Sequence, residues 1–199
     1  MPHSNNHQWV KIMKRRALLK VTGLAITGMA VMGGFTSQAL ATDKMVGKPD
    51  AAPLDNELDK YPRCVICNMD RRKFHFSRHL LHYADKHAEG TCSINCASEA
   101  MLRERKRGFQ AIYAADFGVV GEPKPLIEVS SATYLMGSSL PAVMSPVSKY
   151  AFSQRSAAEA VMSDAGGQLA SFEDAMAASL DEYAKMLSQQ YAKDRGASA

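Results

Sequence analysis

The sequence lacks an excess of charge of either sign once its first 41 residues are set apart. Its 199 residues include 24 basic and 20 acidic side chains. Five of the basic residues lie in the stretch from Lys11 to Lys20, which contains no acid, and the rest of the chain has 19 basic against 20 acidic residues. Because a surface that binds nucleic-acid phosphates needs a clustered excess of Lys and Arg, we expect no nucleic-acid binding.

The sequence also lacks the residue patterns by which common enzymes are recognised. It contains no nucleophile paired with a base, no glycine-rich phosphate loop and no pair of carboxylates placed for hydrolysis. Its hydrophobic share of 46% is typical of a globular protein with a packed core. We therefore expect a folded protein that is not an enzyme.

No apolar run in the sequence is long enough to cross a membrane. Val21–Phe35 is mostly apolar, but it contains Gly and Thr and is shorter than the roughly 20 residues that a span requires. Arg15-Arg16 precedes this run and Ala39-Leu40-Ala41 follows it, as in a twin-arginine signal peptide. We predict that residues 1–41 are such a signal, so that the protein reaches the periplasm and contacts the membrane only during export.

The rest of the chain predicts an α+β fold of two small strand–strand–helix–strand units and a C-terminal helix. The composition of residues 42–58 is that of a flexible tether. A cysteine-rich, metal-binding unit is expected over residues 59–122 and a second unit over residues 123–171. The C-terminal helix and tail are expected over residues 172–199.

Hydrophobic alternation and capping residues predict the elements of the two units. A helix at 94–107 begins after Ser93 as its N-cap, and a second helix at 156–165 ends at Gly166-Gly167. The strands predicted around these helices are 65–66, 73–83 and 109–117 in the first unit, and 126–129, 132–136, 150–152 and 168–170 in the second.

The last helix is predicted to be amphipathic. Its start at Ser171 resembles a capping box, in which a serine and an acidic residue three positions later satisfy backbone N–H groups. An apolar stripe at helical spacing covers the protein's own core more often than it binds a partner, so we expect it to pack on this fold. The stripe consists of Phe172, Met176, Leu180, Tyr183, Leu187 and Tyr191.

Four cysteines in two short clusters carry the clearest functional signal. Cys64 and Cys67 form a C-x2-C pair of the kind that a tight turn presents, and Cys92 and Cys96 flank the predicted helix start at Ser93. The four sulfurs can therefore converge on one metal ion. We expect the helix N-terminus to lower the pKa of Cys92 and Cys96 and so to favour thiolate ligands.

The spacing of the cysteines is compatible with several uses. A carrier of copper(I) would use thiolates and thioethers, and Met69 follows Cys67 by two positions. Disulfide pairs would suit an oxidising periplasm. A thiol oxidoreductase would use Cys64 and Cys67, but these lack the usual strand-to-helix setting of a redox C-x-x-C. A structural zinc ion would hold together a binding module. The surface of that module for a partner protein would comprise Arg71, Arg72, Phe74, Phe76 and Arg78.

Four histidines crowd one segment of the first unit, and one of them could add a ligand. On a strand, His75 and His79 would share a face and His82 would point away. Each histidine is also compatible with a solvated or partner-facing polar residue. The four are His75, His79, His82 and His87.

Two longer patterns connect the chain to known metal-binding proteins. Cys64-x-x-Cys67-Asn68-Met69, together with Tyr134-Leu135-Met136-Gly137-Ser138 and Pro141-Ala142-Val143-Met144, resembles the NosL family, whose knuckle reads C-x-x-C-G-M. These proteins are copper-binding accessory proteins of nitrous oxide reductase assembly. The first half is also similar to TRASH-type metal modules, in which Cys-Ser-x-x-Cys opens a helix, as it does at Cys92–Cys96.

The resemblance implies a periplasmic copper(I) carrier built from two side-by-side strand–strand–helix–strand units. Its partner would be a periplasmic cuproenzyme such as nitrous oxide reductase, or the assembly factors of that enzyme. A structural four-cysteine zinc site remains the alternative. The expected metal ligands are Cys64, Cys67, Cys92 and Cys96, with Met69 and Met144 as secondary ligands.

Overall fold

The first sheet has four antiparallel strands. The computed structural model describes residues 49–196, and the predicted signal peptide lies outside them. The elements of this part of the chain are α1 (Glu57–Lys60), β1 (His79–Tyr83), β2 (Ala88–Thr91), α2 (Ile94–Arg103), β3 (Phe109–Ala115) and β4 (Leu126–Glu128). The strands lie in the order β2-β1-β3-β4.

The second sheet has three antiparallel strands and repeats the arrangement of the first. Its part of the chain contains β5 (Thr133–Met136), β6 (Lys149–Phe152), α3 (Arg155–Ala165), β7 (Gln168–Ala170) and the long helix α4 (Phe172–Gly196). The order β6-β5-β7 matches the order β2-β1-β3, because the first strand of each unit lies between the second and the third. The predicted α+β class is confirmed.

Two strands of the first unit differ from those predicted. Residues 65–66 lie in a turn rather than a strand, and the strand expected at 73–83 begins only at His79. The chain before it turns back, because the Ser77 N–H donates to the Phe74 carbonyl at 3.1 Å. The strand that was missed is β2, whose sequence Ala-Glu-Gly-Thr has too few β-branched or aromatic residues to be recognised.

Strand β4 was expected to open the second unit, but it belongs to the first sheet. Leu126 pairs with Ala115 of β3 in antiparallel register. Just beyond this pair the two sheets meet, where the Phe117 N–H donates to the Ala151 carbonyl at 2.8 Å. The assignment was wrong because alternation of residues identifies a strand but not the strand with which it pairs.

Three clusters of buried apolar side chains hold the fold together. One joins both sheets to α2 and α4, a second packs α2 against β1, and a third packs α3 against the second sheet. Their buried members are, in that order, Ile94, Ala114, Val129, Tyr134, Met136, Ala151, Phe172 and Ala175; Leu81, Tyr83, Ala97 and Ala100; and Leu135, Tyr150, Phe152 and Ala158. The caps predicted at Ser93 and Gly166 are both present.

Helix α4 packs on the core only along its first half. Its capping box is confirmed, because the Ser171 hydroxyl accepts from the Asp174 N–H and the Asp174 carboxylate accepts from the Ser171 N–H, both at 3.1 Å. Phe172 is buried, but Leu187 and Tyr191 are 62% and 64% exposed. The expectation that the whole stripe covers the core was therefore wrong for its last turns. No helix within residues 49–196 combines the length and the hydropathy of a membrane span.

The end of the predicted tether takes part in the fold. The Asp50 N–H donates to the Lys86 carbonyl at 2.8 Å, and Glu57 in α1 is buried. The earlier tether residues, 42–48, lie outside those that the structure describes. From Asp50 onward the chain is therefore attached to the first sheet.

Candidate metal centre

The first cysteine pair lies in a tight turn, which we call the knuckle (residues 64–69). The Cys64 N–H donates to the Met69 carbonyl and the Asn68 N–H donates to the Cys64 carbonyl, both at 2.9 Å. Asn68 has a left-handed backbone with a φ of 60°, which asparagine adopts more readily than most residues. The knuckle thereby brings the sulfurs of Cys64 and Cys67 to one site.

The second cysteine pair lies at the N-terminus of α2, as the sequence predicted. Ser93 is the N-cap, and its hydroxyl accepts from the Cys96 N–H at 3.4 Å. Cys92 directly precedes this cap, whereas Cys96 lies in the first turn of the helix. Both thiols consequently lie at the same end of α2, with their sulfurs 3.7 Å apart.

The structure brings the four sulfurs together. All lie within 4.8 Å of one another, and the Cys67 sulfur is 3.4 Å from that of Cys92 and 3.8 Å from that of Cys96. All four cysteines are free, so none forms a disulfide. A tetrahedral site with metal–sulfur bonds of about 2.3 Å has sulfur–sulfur separations of about 3.8 Å. The donor set and its spacing therefore suit a single soft metal ion.

The thiols of the cluster shift one another's pKa values. Hydrogen bonds from Cys92 and Cys96 lower the pKa of Cys64. The same interactions with Cys64 raise the pKa of Cys92 and of Cys96. The net shifts are opposite to the lowering that we expected at these two residues, and interaction with Cys64 is their largest cause. Negative charge is thus held inside the cluster, at the position where a cation would bind.

Partly buried side chains border the cluster, and one of them, Met69, was predicted as a secondary ligand. Met69 and Val143 pack directly against the buried cysteines. Met144 does not belong to this cluster and is 46% exposed, with a left-handed φ of 56°. The loop before β6 therefore places Val143, rather than Met144, against the sulfurs.

The histidines lie apart from the sulfurs. Within the described part of the chain, the group of side chains suited to hold a metal ion consists of the four cysteines alone. His79 is buried with its Nε2 2.9 Å from the Tyr134 hydroxyl, and His75 accepts from the Lys124 N–H at 3.4 Å. His87 lies 3.3 Å from Asp85. His82 is buried on β1.

The basic and aromatic surface expected for a zinc-held binding module is buried in part. Arg71 and Arg78 both pair with Glu57, at 2.8 and 2.7 Å. Phe76 packs against Tyr150 with ring centroids 6.0 Å apart. The expectation that these side chains face a partner protein was therefore wrong for both arginines, because each is held inside the fold.

A buried polar network beside the cysteines was not predicted. Lys149 Nζ lies 2.8 Å from Glu182 Oε1 and donates to Asn95 Oδ1 at 3.1 Å and to Ser145 Oγ at 2.9 Å. Asn95 lies between Cys92 and Cys96 in the sequence, and Ser145 follows Met144 in the loop before β6. The network therefore holds α2, α4 and this loop together. A lysine at the start of an apolar strand was the signal that could have revealed it.

Comparison with known proteins gives one family and two solved structures. The family model of NosL matches residues 55–180, which is more than half of the chain. The crystal structure of the copper chaperone NosL from Shewanella denitrificans is 23% identical, with a TM-score of 0.46, over 56% of this chain and 87% of that one. The solution NMR structure of the apo-NosL protein from Achromobacter cycloclastes is 22% identical, with a TM-score of 0.35, over 48% of this chain and 82% of that one.

No curated protein matches the chain. The family-model match extends from just before α1 into the first half of α4, and so includes both cysteine pairs and both sheets. This chain belongs to the NosL family.

Proposed function

We propose that this protein is a periplasmic copper(I) carrier that passes its ion to a cuproenzyme such as nitrous oxide reductase, or to the assembly factors of that enzyme. The observation that carries the proposal is the cluster of four free thiols within 4.8 Å of one another. Membership of the NosL family supports the same role. The protein is a carrier and not an enzyme, because the ion is its cargo and leaves unchanged.

The chemistry of the donors favours a soft ion. Thiolate and thioether ligands select copper(I) over harder cations. The principal ligands are the four cysteine sulfurs, two from the knuckle and two from the start of α2. Met69 is a secondary ligand from within the cluster, because it packs against the cysteines. Met144 is a secondary ligand that the ion meets as it leaves, because its side chain is exposed next to Val143.

Transfer proceeds by ligand exchange that begins at Cys67. Cys64, Cys92 and Cys96 are buried, whereas Cys67 is partly exposed. A thiolate or thioether of the partner can therefore replace Cys67 first, which gives an intermediate in which both proteins share the ion. The remaining sulfurs are then replaced in turn. No change in the oxidation state of copper is required.

The position of the cluster favours a carried ion over a structural zinc ion. Domains that depend on a structural zinc ion are unfolded without it, because they have little core of their own. Here three apolar clusters have no cysteine among their buried members. Removal of the ion should therefore leave both sheets folded.

The periplasmic location in this proposal is supported by the signal predicted at residues 1–41. A twin-arginine signal directs the export of a chain that is already folded. Such a chain can bind copper(I) in the reducing cytoplasm, before an oxidant reaches the thiols. The export route is thus consistent with a site built from four free cysteines.

Metal content tests the proposal. The protein would be purified without oxygen from cells supplied with both copper and zinc, and the bound metal per chain would be counted by elemental analysis. We expect copper in the unchanged protein and its loss from a variant with Cys92→Ser and Cys96→Ser. Met69→Leu should weaken copper binding, whereas Met176→Leu, which changes a thioether in another cluster, serves as the matched control.

A structural zinc site would give a different result. Stoichiometric zinc without copper, together with loss of the circular dichroism signal when zinc is chelated, would identify a structural site. The copper proposal would then be abandoned.

A further inference from the structure

Arg71 is a fully buried cation beside the cysteine cluster. Its guanidinium donates to the Tyr61 carbonyl at 2.5 Å, the His79 carbonyl at 3.0 Å and the Thr91 carbonyl at 3.2 Å. Its side chain has no exposed area. Burial of a charge is unfavourable unless the group is paired and hydrogen-bonded, and Arg71 meets both conditions through these carbonyls and the Glu57 carboxylate at 2.8 Å.

The partners of Arg71 connect the two arms that carry the cysteines. Tyr61 lies three residues before Cys64, and Thr91 directly precedes Cys92. A single planar group thus holds the chain leading into the knuckle and the chain leading into the second cysteine pair. The Arg71 N–H also donates to a carbonyl just before the knuckle, that of Pro62, at 2.9 Å.

Gly90 of β2 completes the same joint. The Val65 N–H of the knuckle donates to the Gly90 carbonyl at 3.0 Å, so the knuckle is attached directly to β2. A Cβ atom at Gly90 would lie 2.5 Å from the Arg71 guanidinium. Because no real Cβ approaches other atoms so closely, Gly90 provides the space in which Arg71 lies.

The charge around Arg71 is complementary to a metal–thiolate site. Glu57 pairs with both Arg71 and Arg78, so two buried cations share one carboxylate. The Glu57 carboxylate therefore balances only one of the two positive charges. Arg71 also interacts electrostatically with Cys64. An ion of single positive charge with two or more thiolates is anionic, and a buried cation beside it is favourable.

We propose that Arg71 is a positioning residue of the metal site. It sets the separation between the knuckle and the Cys92–Cys96 pair so that four sulfurs share one ion, and it places a positive charge beside the anionic site. This inference rests on the proposed copper function, since it assigns a role within that same site.

The test compares Arg71→Met with Arg72→Met, a neighbouring arginine that is exposed and pairs with Asp59. Copper(I) would be titrated into the purified, reduced proteins against a chromophoric chelator, and the sulfur neighbours of copper would be counted by X-ray absorption. We expect Arg71→Met to weaken copper binding by about 10- to 100-fold, as changes to residues that orient metal ligands do. Arg72→Met should bind copper as the unchanged protein does.

The number of bound ions separates positioning from a general loss of stability. If the two cysteine pairs move apart, each pair can hold its own ion, and the copper bound per folded chain should rise from one ion to two. A variant that is only less stable would bind one ion or none. Circular dichroism of each protein establishes that the sheets are retained.

Two further variants keep the test informative if Arg71→Met does not fold. Arg71→Lys retains the charge but cannot span the three carbonyls. It should therefore reduce the number of sulfur neighbours per copper ion, with a smaller loss of affinity than Arg71→Met. Gly90→Ala displaces the guanidinium and should weaken copper binding as Arg71→Met does. Where Arg71→Met does fold, adding Gly90→Ala to it should weaken binding no further, because both changes remove the same interaction.

The outcomes distinguish failure of the proposed copper function from failure of the positioning role of Arg71. Failure of the unchanged protein to bind copper(I) would overturn the proposed function itself. Binding by the unchanged protein, with the same affinity, sulfur count and stoichiometry in Arg71→Lys and Gly90→Ala, would overturn only the positioning role of Arg71.

Discussion

Acidification should destabilise this protein through the titration of His79, which joins the two sheets. His79 Nδ1 lies 3.0 Å from the Ser77 carbonyl, which can only accept, so Nδ1 carries the proton. Burial lowers the pKa of His79 from 6.5 to about 4, so the ring is neutral at neutral pH. Nε2 of the neutral ring then accepts from the Tyr134 hydroxyl at 2.9 Å.

The unfolded and folded states bind a proton at His79 in different pH ranges. The unfolded chain binds a proton at His79 near pH 6.5, whereas the folded protein does so only near pH 4. The contribution of the neutral ring to the unfolding free energy is fully present above pH 6.5. It is lost as the pH falls from 6.5 to about 4. At about 1.4 kcal/mol for each pKa unit, the loss is about 3 kcal/mol of unfolding free energy.

Urea unfolding followed by circular dichroism measures this loss. Reduced, metal-free protein would be used, so that release of a metal ion does not contribute to the pH dependence. His79→Gln retains a polar side chain of similar size but does not titrate. Its unfolding free energy should be lower at neutral pH and should vary less between about pH 7 and pH 4.5 than that of the unchanged protein. Equal pH dependence in the two proteins would refute the assignment of a neutral, buried His79.

Three smaller changes test other parts of the structure by urea unfolding. Lys149→Met leaves Glu182 with its charge unpaired in a largely buried network and should lower the unfolding free energy by about 3 kcal/mol; adding Glu182→Leu should restore part of it, and no recovery would contradict the pairing. Ser93→Ala removes the N-cap of α2 and should lower the unfolding free energy by about 1 kcal/mol; an unchanged value would contradict a stabilising cap. Met144→Gly relieves a left-handed backbone at φ 56° and should raise the unfolding free energy by up to about 1 kcal/mol; a decrease would show that the side chain contributes more than the strain.

The cysteine cluster could be predicted because its signals are local. The C-x2-C spacing of Cys64 and Cys67 and the cap at Ser93 each depend on a few neighbouring residues. The helix that begins between Cys92 and Cys96 was also predicted, although it stops at Arg103 rather than extending to 107. Short-range chemistry is therefore sufficient to locate both halves of the site in the amino-acid sequence.

The rest of the site depends on contacts between distant residues. Lys149 meets Glu182 and Asn95 across 33 and 54 positions of sequence, and no short pattern marks such a meeting. Arg71 was interpreted as a surface residue because arginines are seldom buried. Its burial requires Glu57, which lies in a segment predicted to be a tether, and the absence of a side chain at Gly90.

The pairing of β4 with β3 determines where this chain can be divided. A fragment that ends at residue 122, where the sequence suggests a boundary, would lack β4 and leave the outer edge of β3 with free backbone N–H and carbonyl groups. Such an edge readily adds a strand from another molecule and promotes aggregation. A fragment that continues through Glu128 would keep this edge covered. The cysteine-bearing half is therefore not transferable to another protein on its own unless the first strand of the following segment goes with it.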